Sequence, residues 1–299
     1  MIAYLFPGQG SHSVGMGQLA HERSAAARDL FSQANDILGF DLTSLCFSGP
    51  KNDLTDTVNQ QPALFVASMA TLAAMQETGG YPAADFMAGH SLGELSALAA
   101  ADSISFEDGL RLVRKRGELM KAAGAESPGS MTAVLALKTD QVIQACQQAA
   151  EETGELVQLA NDNCPGQVVI SGHKTAVDRA GEVLKEMGAR KVVPLPITIA
   201  AHSPLMASAS EAFLAALDKI SIGTPSVPVI GNTTASPLTT VEEIRAELEA
   251  QLTGAVRWTE SMQYIEAQGV SEIYEVGSGD VLQTLMKRIN RKIARKQFA

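Results

Sequence analysis

An uninterrupted apolar run from Ile2 to Phe6 halts at Pro7-Gly8-Gln9-Gly10-Ser11. This is the profile of a buried strand delivering the chain into a loop whose residues permit close backbone approach. Apolar spacing then predicts a helix within Leu64 to Met75, a short strand at Asp85 to Ala88 and a helix of small residues from Leu92 to Ala101. The stretch around Ser91 therefore reads as strand, sharp turn, helix. Ser105 is placed to cap the next helix, which carries Leu110, Val113 and Leu119 on one face and Arg111, Arg114, Lys115 and Arg116 around the rest.

Near Glu126-Ser127-Pro128-Gly129-Ser130 the rhythm changes. Strand-like runs at Met131 to Leu137, Leu156 to Ala160, Gln167 to Gly172 and Arg190 to Leu195 alternate with helical ones at Thr139 to Glu152 and Lys174 to Met187. The order βαββαβ is that of the ferredoxin-like split unit. After Pro196 the earlier alternation resumes, with helices predicted at Pro204 to Leu217 and Val241 to Leu252 and strands at Val227 to Ile230 and Ile273 to Val276. The expected fold class is α/β: a large, hydrolase-like domain with a parallel sheet (1–127 and 198–299) interrupted by a smaller ferredoxin-like domain (128–197). No internal repeat or low-complexity segment is evident.

Composition narrows the function. With 299 residues, 45% hydrophobic and 19% charged, the chain is long and apolar enough to fold by itself around a substantial core. A formal net charge of -10 argues against a general nucleic-acid binder, which needs positive charge to displace phosphate counterions. No apolar run approaches the roughly 20 residues of a membrane span, and Met1-Ile2-Ala3-Tyr4 has no basic leader character. Cys46, Cys146 and Cys164, odd in number and widely spaced, suit a reducing compartment and match no metal-site spacing. A cytoplasmic location and a monomer are expected. Lys287, Arg288, Arg291, Lys292, Arg295 and Lys296 recur at helical spacing opposite Leu285, Ile289 and Ile293, either a solvated helix face or a landing strip for an acidic partner or phosphates.

Gly89-His90-Ser91-Leu92-Gly93 fits G-x-S-x-G, in which glycines allow a strained strand-to-helix turn that exposes the serine hydroxyl. At the start of a helix, Ser91 would sit where amide groups favour developing negative charge; the plainer reading is a helix cap. A serine nucleophile needs a base, and the chain has five histidines. His90 adjoins the serine and should point away, His21 and His173 sit in polar stretches read as helical and exposed, and His12 lies in the glycine loop. His202, between the run Pro194 to Ala201 and Ser203-Pro204, stands where a strand-like segment meets a helix start, suited to reach across a cleft; the alternative is a structural histidine. An oxyanion would need two main-chain donors, one from Leu92 after the serine and a second from another loop, for which Gln9 between two glycines is the candidate. As a bare motif that loop could also cradle phosphate, but it lacks the lysine of a P-loop and the third glycine of a dinucleotide site.

Phe6-Pro7-Gly8-Gln9-Gly10-Ser11, Gly89-His90-Ser91-Leu92-Gly93-Glu94, Arg116-Gly117, Asn161 to Ile170, Ala201-His202-Ser203 and Tyr274-Glu275-Val276-Gly277 together resemble the malonyl-CoA:acyl carrier protein transacylase family, in order over about residues 1–290. The resemblance implies Ser91 as nucleophile, His202 as base, the backbone of Gln9 and Leu92 as oxyanion donors, and Gln251 as the residue whose main-chain carbonyl orients the histidine. It also implies Arg116 as the carboxylate-binding arginine and Asn161 and Ala201 as substrate-side residues. Without it, Arg116 would read as one charge among four on a solvated face. A guanidinium fork can hold the free carboxylate of a malonyl group by two charge-assisted hydrogen bonds. The implied reaction is ping-pong transfer from coenzyme A to a carrier phosphopantetheine thiol, with no metal or redox cofactor and with malonyl-CoA and acyl carrier protein as partners.

Four positions depart from the family's common pattern: His12 stands for a glutamine, Ala201 for a phenylalanine or serine, and Gly254-Ala255 for Asn-Pro. A small residue at 201 leaves room beside the acyl α-carbon, so transfer of a substituted malonyl unit stands as an alternative. A carrier-protein thioester hydrolase would share Ser91 and His202 but have no use for Arg116. A non-catalytic docking protein would leave Ser91, His202 and Gln9 unexplained.

Overall fold

In the computed structural model the description covers residues 1–298; Ala299, the last residue of the predicted large domain, lies outside the described residues. The strands are β1 (Ile2–Phe6), β2 (Phe86–Gly89), β3 (Gly129–Leu135), β4 (Val157–Cys164), β5 (Gln167–His173), β6 (Lys191–Pro194), β7 (Val229–Ile230), β8 (Pro237–Leu238), β9 (Glu272–Glu275) and β10 (Ala294–Gln297). They form two sheets. The larger has the order β10-β9-β1-β2-β7-β8, parallel from β10 to β7, with β8 antiparallel at one edge. β1 reads as a continuous apolar run because helices cover both faces of the sheet: one layer of core holds Phe6, Phe31, Phe65 and Leu95, the other Leu5, Trp258, Met262 and Leu285.

The smaller sheet has the order β4-β5-β3-β6 and is antiparallel throughout. Helices Thr139–Thr153 and Lys174–Glu186 pack on it through Val142, Ala149, Val177 and Leu184. Connectivity and order are those of the ferredoxin-like unit read from the sequence. β4 is held to the segment that leads into helix Trp258–Ala267, where Val256 N–H donates to the Ala160 carbonyl at 2.8 Å and the Val256 carbonyl accepts from Asp162 N–H at 2.9 Å. No helix among the described residues is long and apolar enough to cross a membrane.

Several elements differ from the expectation. The helix expected at Leu64 to Met75 runs from Thr57 to Thr78 and contains Pro62. Being buried almost all round, it shows little amphipathic periodicity to mark its ends. The helix expected from Pro204 begins as a 3₁₀ turn, Pro204–Met206, before Ala207–Leu217. The basic C-terminal stretch is not one helix. The helix ends at Ile289, Ile293 turns into the core, and Arg295 and Lys296 lie on edge strand β10 beside β9. Sheet pairing supplies main-chain partners there that a lone helical turn could not. His173 lies at the end of β5, where its Nδ1 accepts from Leu156 N–H at 3.1 Å. His21, on helix Gln18–Arg23, is half-buried against the Phe31 and Phe47 rings.

Candidate active site

β2 delivers the chain to Ser91 at its C-terminal end, and helix Leu92–Ala100 starts immediately after it. Ser91 has φ 52° and ψ -109°, a conformation that L-residues avoid unless their surroundings impose it. Two glycines impose it here. A Cβ on Gly89 would fall 1.8 Å from the Gly93 carbonyl oxygen, and one on Gly93 would fall 2.1 Å from the carbonyl oxygen of Phe6, at the end of β1. Asn232, in the turn after β7, fastens the bend: its Oδ1 accepts from Ser91 N–H at 2.7 Å and its Nδ2 donates to the Gly89 carbonyl at 2.7 Å.

Across the cleft, His202 is buried and also adopts a positive φ of 59°. Its Nδ1 faces two main-chain carbonyls, Gln251 at 2.8 Å and Gly254 at 3.1 Å. Both are acceptors, so Nδ1 carries the proton and Nε2 presents a lone pair. Ser91 Oγ, 2.8 Å from Nε2, donates to it. Burial, and after it the nearby charge of Arg116, push the His202 pKa down to about 3, so the ring is neutral over the physiological range.

Arg116 is 1% exposed, unlike the other three basic residues of its helical stretch. It sits on helix Phe106–Glu126, and its Nη2 donates to Ser91 Oγ and to Gln251 Oε1, each at 3.1 Å, while Nη1 donates to Gln61 Oε1 at 3.0 Å. Its Nε is buried without a partner, and among the described residues no carboxylate lies within salt-bridge distance of it. Burial lowers its pKa only to about 10, so it stays a cation. Glu94, wholly buried on the serine's own helix, accepts from Asn232 N–H (2.7 Å), Asn232 Nδ2 (3.0 Å) and Gln251 Nε2 (2.5 Å). Burial, then the charge of Glu247, raises its pKa well above the ordinary carboxylate value.

The structure therefore brings Ser91, His202, Gln251 and Arg116 into one bonded cluster. Leu92 follows the serine as the first residue of that helix, where a main-chain N–H has no carbonyl four residues back within the helix to donate to. Gln9 sits in the neighbouring loop, tied by its side chain to Thr57 Oγ1 at 2.6 Å. That loop presses on the serine turn: a Cβ on Gly8 would come within 2.2 Å of the His90 carbonyl oxygen. Ala201, half-buried beside the histidine, packs against both the main core and the cluster around Met131. Asn161 is buried on β4 and bridged to Val256. Its neighbour Asn163 holds His90, whose Nε2 lies 2.8 Å from Asn163 Oδ1 while the ring packs on Trp258. His12 is turned to Gln60 and Thr55 on the rim.

A hydroxyl paired with a neutral imidazole, on a strained turn at a helix N-terminus, is built to attack a carbonyl and to hold the resulting ester. The family described as "Acyl transferase domain" matches residues 3–293. The malonyl CoA-acyl carrier protein transacylase of Bacillus subtilis (strain 168) is 45% identical over 292 residues, 98% of this chain and 91% of that one. The chain belongs to the malonyl-CoA:acyl carrier protein transacylase family. Among solved members, an acyl carrier protein S-malonyltransferase from Vibrio cholerae superposes with a TM-score of 0.95 at 40% identity, covering 99% of this chain and 96% of that one. A malonyl-transacylase in complex with its type II PKS acyl-carrier protein, in the holo form, superposes with a TM-score of 0.94 at 40% identity, covering 99% and 94%. Three residues bonded to that cluster lie beyond what sequence reasoning on the transacylase motifs picks out as site residues. Glu94 carries a usable signal, being a lone acid in the apolar helix Leu92–Ala100. Asn232 and Gln61 carry none, since Gly231-Asn232-Thr233-Thr234 reads as an ordinary turn and Gln61 as one polar residue in a helix.

Proposed function

We propose that this protein moves a malonyl group from coenzyme A to the phosphopantetheine thiol of an acyl carrier protein through an ester on Ser91. The observation that carries the reading is the Arg116 guanidinium, buried and 3.1 Å from Ser91 Oγ. In a malonyl thioester the free carboxylate and the reacting carbonyl are separated by a single methylene. A cation that is to hold one while Ser91 attacks the other must lie beside the serine, as Arg116 does. A hydrolase of neutral acyl groups gains nothing from such a charge, whose burial is costly.

In the first half-reaction Ser91 Oγ attacks the thioester carbon as its proton passes to His202 Nε2. The main-chain N–H groups of Gln9 and Leu92 receive the oxyanion. Its collapse breaks the carbon–sulfur bond, and the proton on Nε2 leaves with the coenzyme A sulfur. The carrier thiol then reverses these steps on the ester. The Gln251 carbonyl fixes the tautomer of His202, and Asn161 and Ala201 border the acyl group. The small side chain at 201 leaves space for a substituent on the α-carbon. The relative solved with its carrier protein supports that class of acceptor. The proposed division keeps 1–127 and 198–299 as the catalytic domain around an inserted 128–197.

Intact-protein mass spectrometry after incubation with malonyl-, methylmalonyl- and acetyl-CoA tests this. Wild type should carry a malonyl adduct that Ser91→Ala abolishes and Arg116→Ala strongly reduces. A stable acetyl adduct indifferent to Arg116, or thioester loss without any adduct, would overturn the assignment.

A further inference from the structure

The Gln251 amide has two ends and two different neighbours. Its Oε1 accepts from Arg116 Nη2 at 3.1 Å, while its Nε2 donates to Glu94 Oε2 at 2.5 Å and to the Ser91 carbonyl at 2.9 Å. A guanidinium can only donate, so Arg116 requires the oxygen end of the amide. The reverse orientation would set N–H against N–H, and Arg116 would lose that anchor. Two acceptors oppose the reverse orientation: the Ser91 main-chain carbonyl, and Glu94, which takes hydrogen bonds from Asn232 and Gln251. Both Glu94 oxygens accept in this arrangement, Oε1 from Asn232 and Oε2 from Gln251, so the side chain holds the nitrogen end of the amide towards itself.

We propose that Glu94 is a positioning residue that readies Arg116 for a carboxylated acyl group by fixing which way round the Gln251 amide sits. This rests on the reading of Arg116 as the carboxylate-binding residue. Glu94 touches neither the acyl group nor Ser91 Oγ and acts through Gln251. Its other oxygen serves a separate arm, accepting both Asn232 donors that secure the serine turn.

The two arms make Glu94→Gln a selective lesion. The carbonyl oxygen of the new amide can keep both Asn232 donors, so the serine turn survives. Its nitrogen then faces Gln251 Nε2, N–H against N–H, so that amide either turns over, setting its oxygen against the Ser91 carbonyl and N–H against Arg116, or shifts away; both disturb the Arg116 anchor. The test is single-turnover acylation of Ser91 by malonyl-CoA and by acetyl-CoA, followed by intact mass, on wild type, Glu94→Gln and Glu94→Asp, with thermal melting of each. Misplacing the arginine should lower malonyl acylation by about a hundredfold in Glu94→Gln, and acetyl acylation, which has no carboxylate to place, by no more than about threefold. Glu94→Asp, still an acceptor though a methylene shorter, should recover part of the malonyl rate.

Equal falls for the two donors would make Glu94 a general support of the fold and overturn the proposal. So would an aspartate variant no better than the glutamine one, or failure of both to fold. A malonyl rate that rises in Glu94→Gln would also overturn it, by showing that removing a competing negative charge outweighs orientation. Absence of a malonyl ester in wild type would sink the functional reading itself and this inference with it. A wild-type ester with unselective variants would sink this inference alone.

Discussion

At the scale of single residues the site is governed by what burial does to charge. In the proposed reaction His202 must be neutral to take the Ser91 proton, and burial together with Arg116 lowers its pKa to about 3. A base is competent above its pKa, so acylation by the free enzyme should persist as the pH falls through 6.5 and fail only towards the lowered value. The pH dependence of kcat/KM for malonyl-CoA checks this, and a half-fall centred near 6.5 would show an ordinary histidine. Linkage has the matching sign: between about 6.5 and 3 the unfolded chain binds this proton and the folded one does not, so the group's contribution to stability falls as pH falls. Sequence logic reaches His202 by elimination and Ser91 by motif, because each sits at a punctuated chain reversal. The burial of Arg116 is illegible there, since a helix carrying Arg111, Arg114, Lys115 and Arg116 does not announce which one turns inward. That depends on Gln61 and Gln251, 55 and 135 residues away along the chain.

At the scale of elements, the serine turn works because a helix start is seated on the end of β1. His90 N–H donates to the Phe6 carbonyl at 3.0 Å, and Gly93 lies so close that a methyl there would meet Phe6 O at 2.1 Å and Pro7 O at 3.0 Å. The obstructing atoms belong to the main chain and cannot swing aside as a side chain would. Gly93→Ala should therefore cost about 3 kcal/mol, the upper range for overpacking, seen as a melting point roughly 6–12 °C lower. Acylation should fall with it as the helix withdraws from the serine. Gly223→Ala, whose new methyl would meet nothing closer than 3.9 Å, is the control and should stay within about 0.5 kcal/mol of wild type. The strand-turn-helix unit is legible in the sequence because glycine spacing and apolar period coincide there. The helices Gln18–Arg23, Leu42–Ser48 and Lys51–Thr55 are not, being 6, 7 and 5 residues long and separated by turns. Glu275, one of the motif residues, serves at this scale: its carboxylate accepts from Leu282 and Gln283 N–H and anchors the start of helix Val281–Ile289, while burial pushes its pKa up to about 7.

At the scale of the molecule, the smaller sheet reaches into the chemistry carried by the larger one. The alternation of strands and helices makes the smaller sheet and strands β1, β2, β7 and β9 of the larger one legible, but it misses the edge strands β8 and β10 and cannot show how the sheets are joined. The join runs through Gln158 on β4, whose Nε2 donates to the main-chain carbonyls of His202 at 2.8 Å and Thr253 at 3.0 Å. One amide from the second sheet thus ties the loop bearing the base to the chain just beyond Gln251, the two segments whose separation sets the His202 Nδ1 contacts. His202 N–H keeps its own bond to the Leu252 carbonyl at 3.0 Å whatever happens at position 158, so the loop should loosen and not detach. Gln158→Ala leaves two carbonyls short of a donor, a loss of about 1–3 kcal/mol if water does not replace it, and at roughly 2–4 °C per kcal/mol the melting point should drop by about 2–12 °C. Because the proposed base would serve every acyl donor, the acylation rate should fall about tenfold for malonyl- and acetyl-CoA alike, equivalent to roughly 1.4 kcal/mol of barrier. Stopped-time acylation with both donors decides it. An unchanged rate would mean that the second sheet merely covers the cleft, whereas a fall confined to malonyl-CoA would place Gln158 with the Arg116 anchor and not with the base.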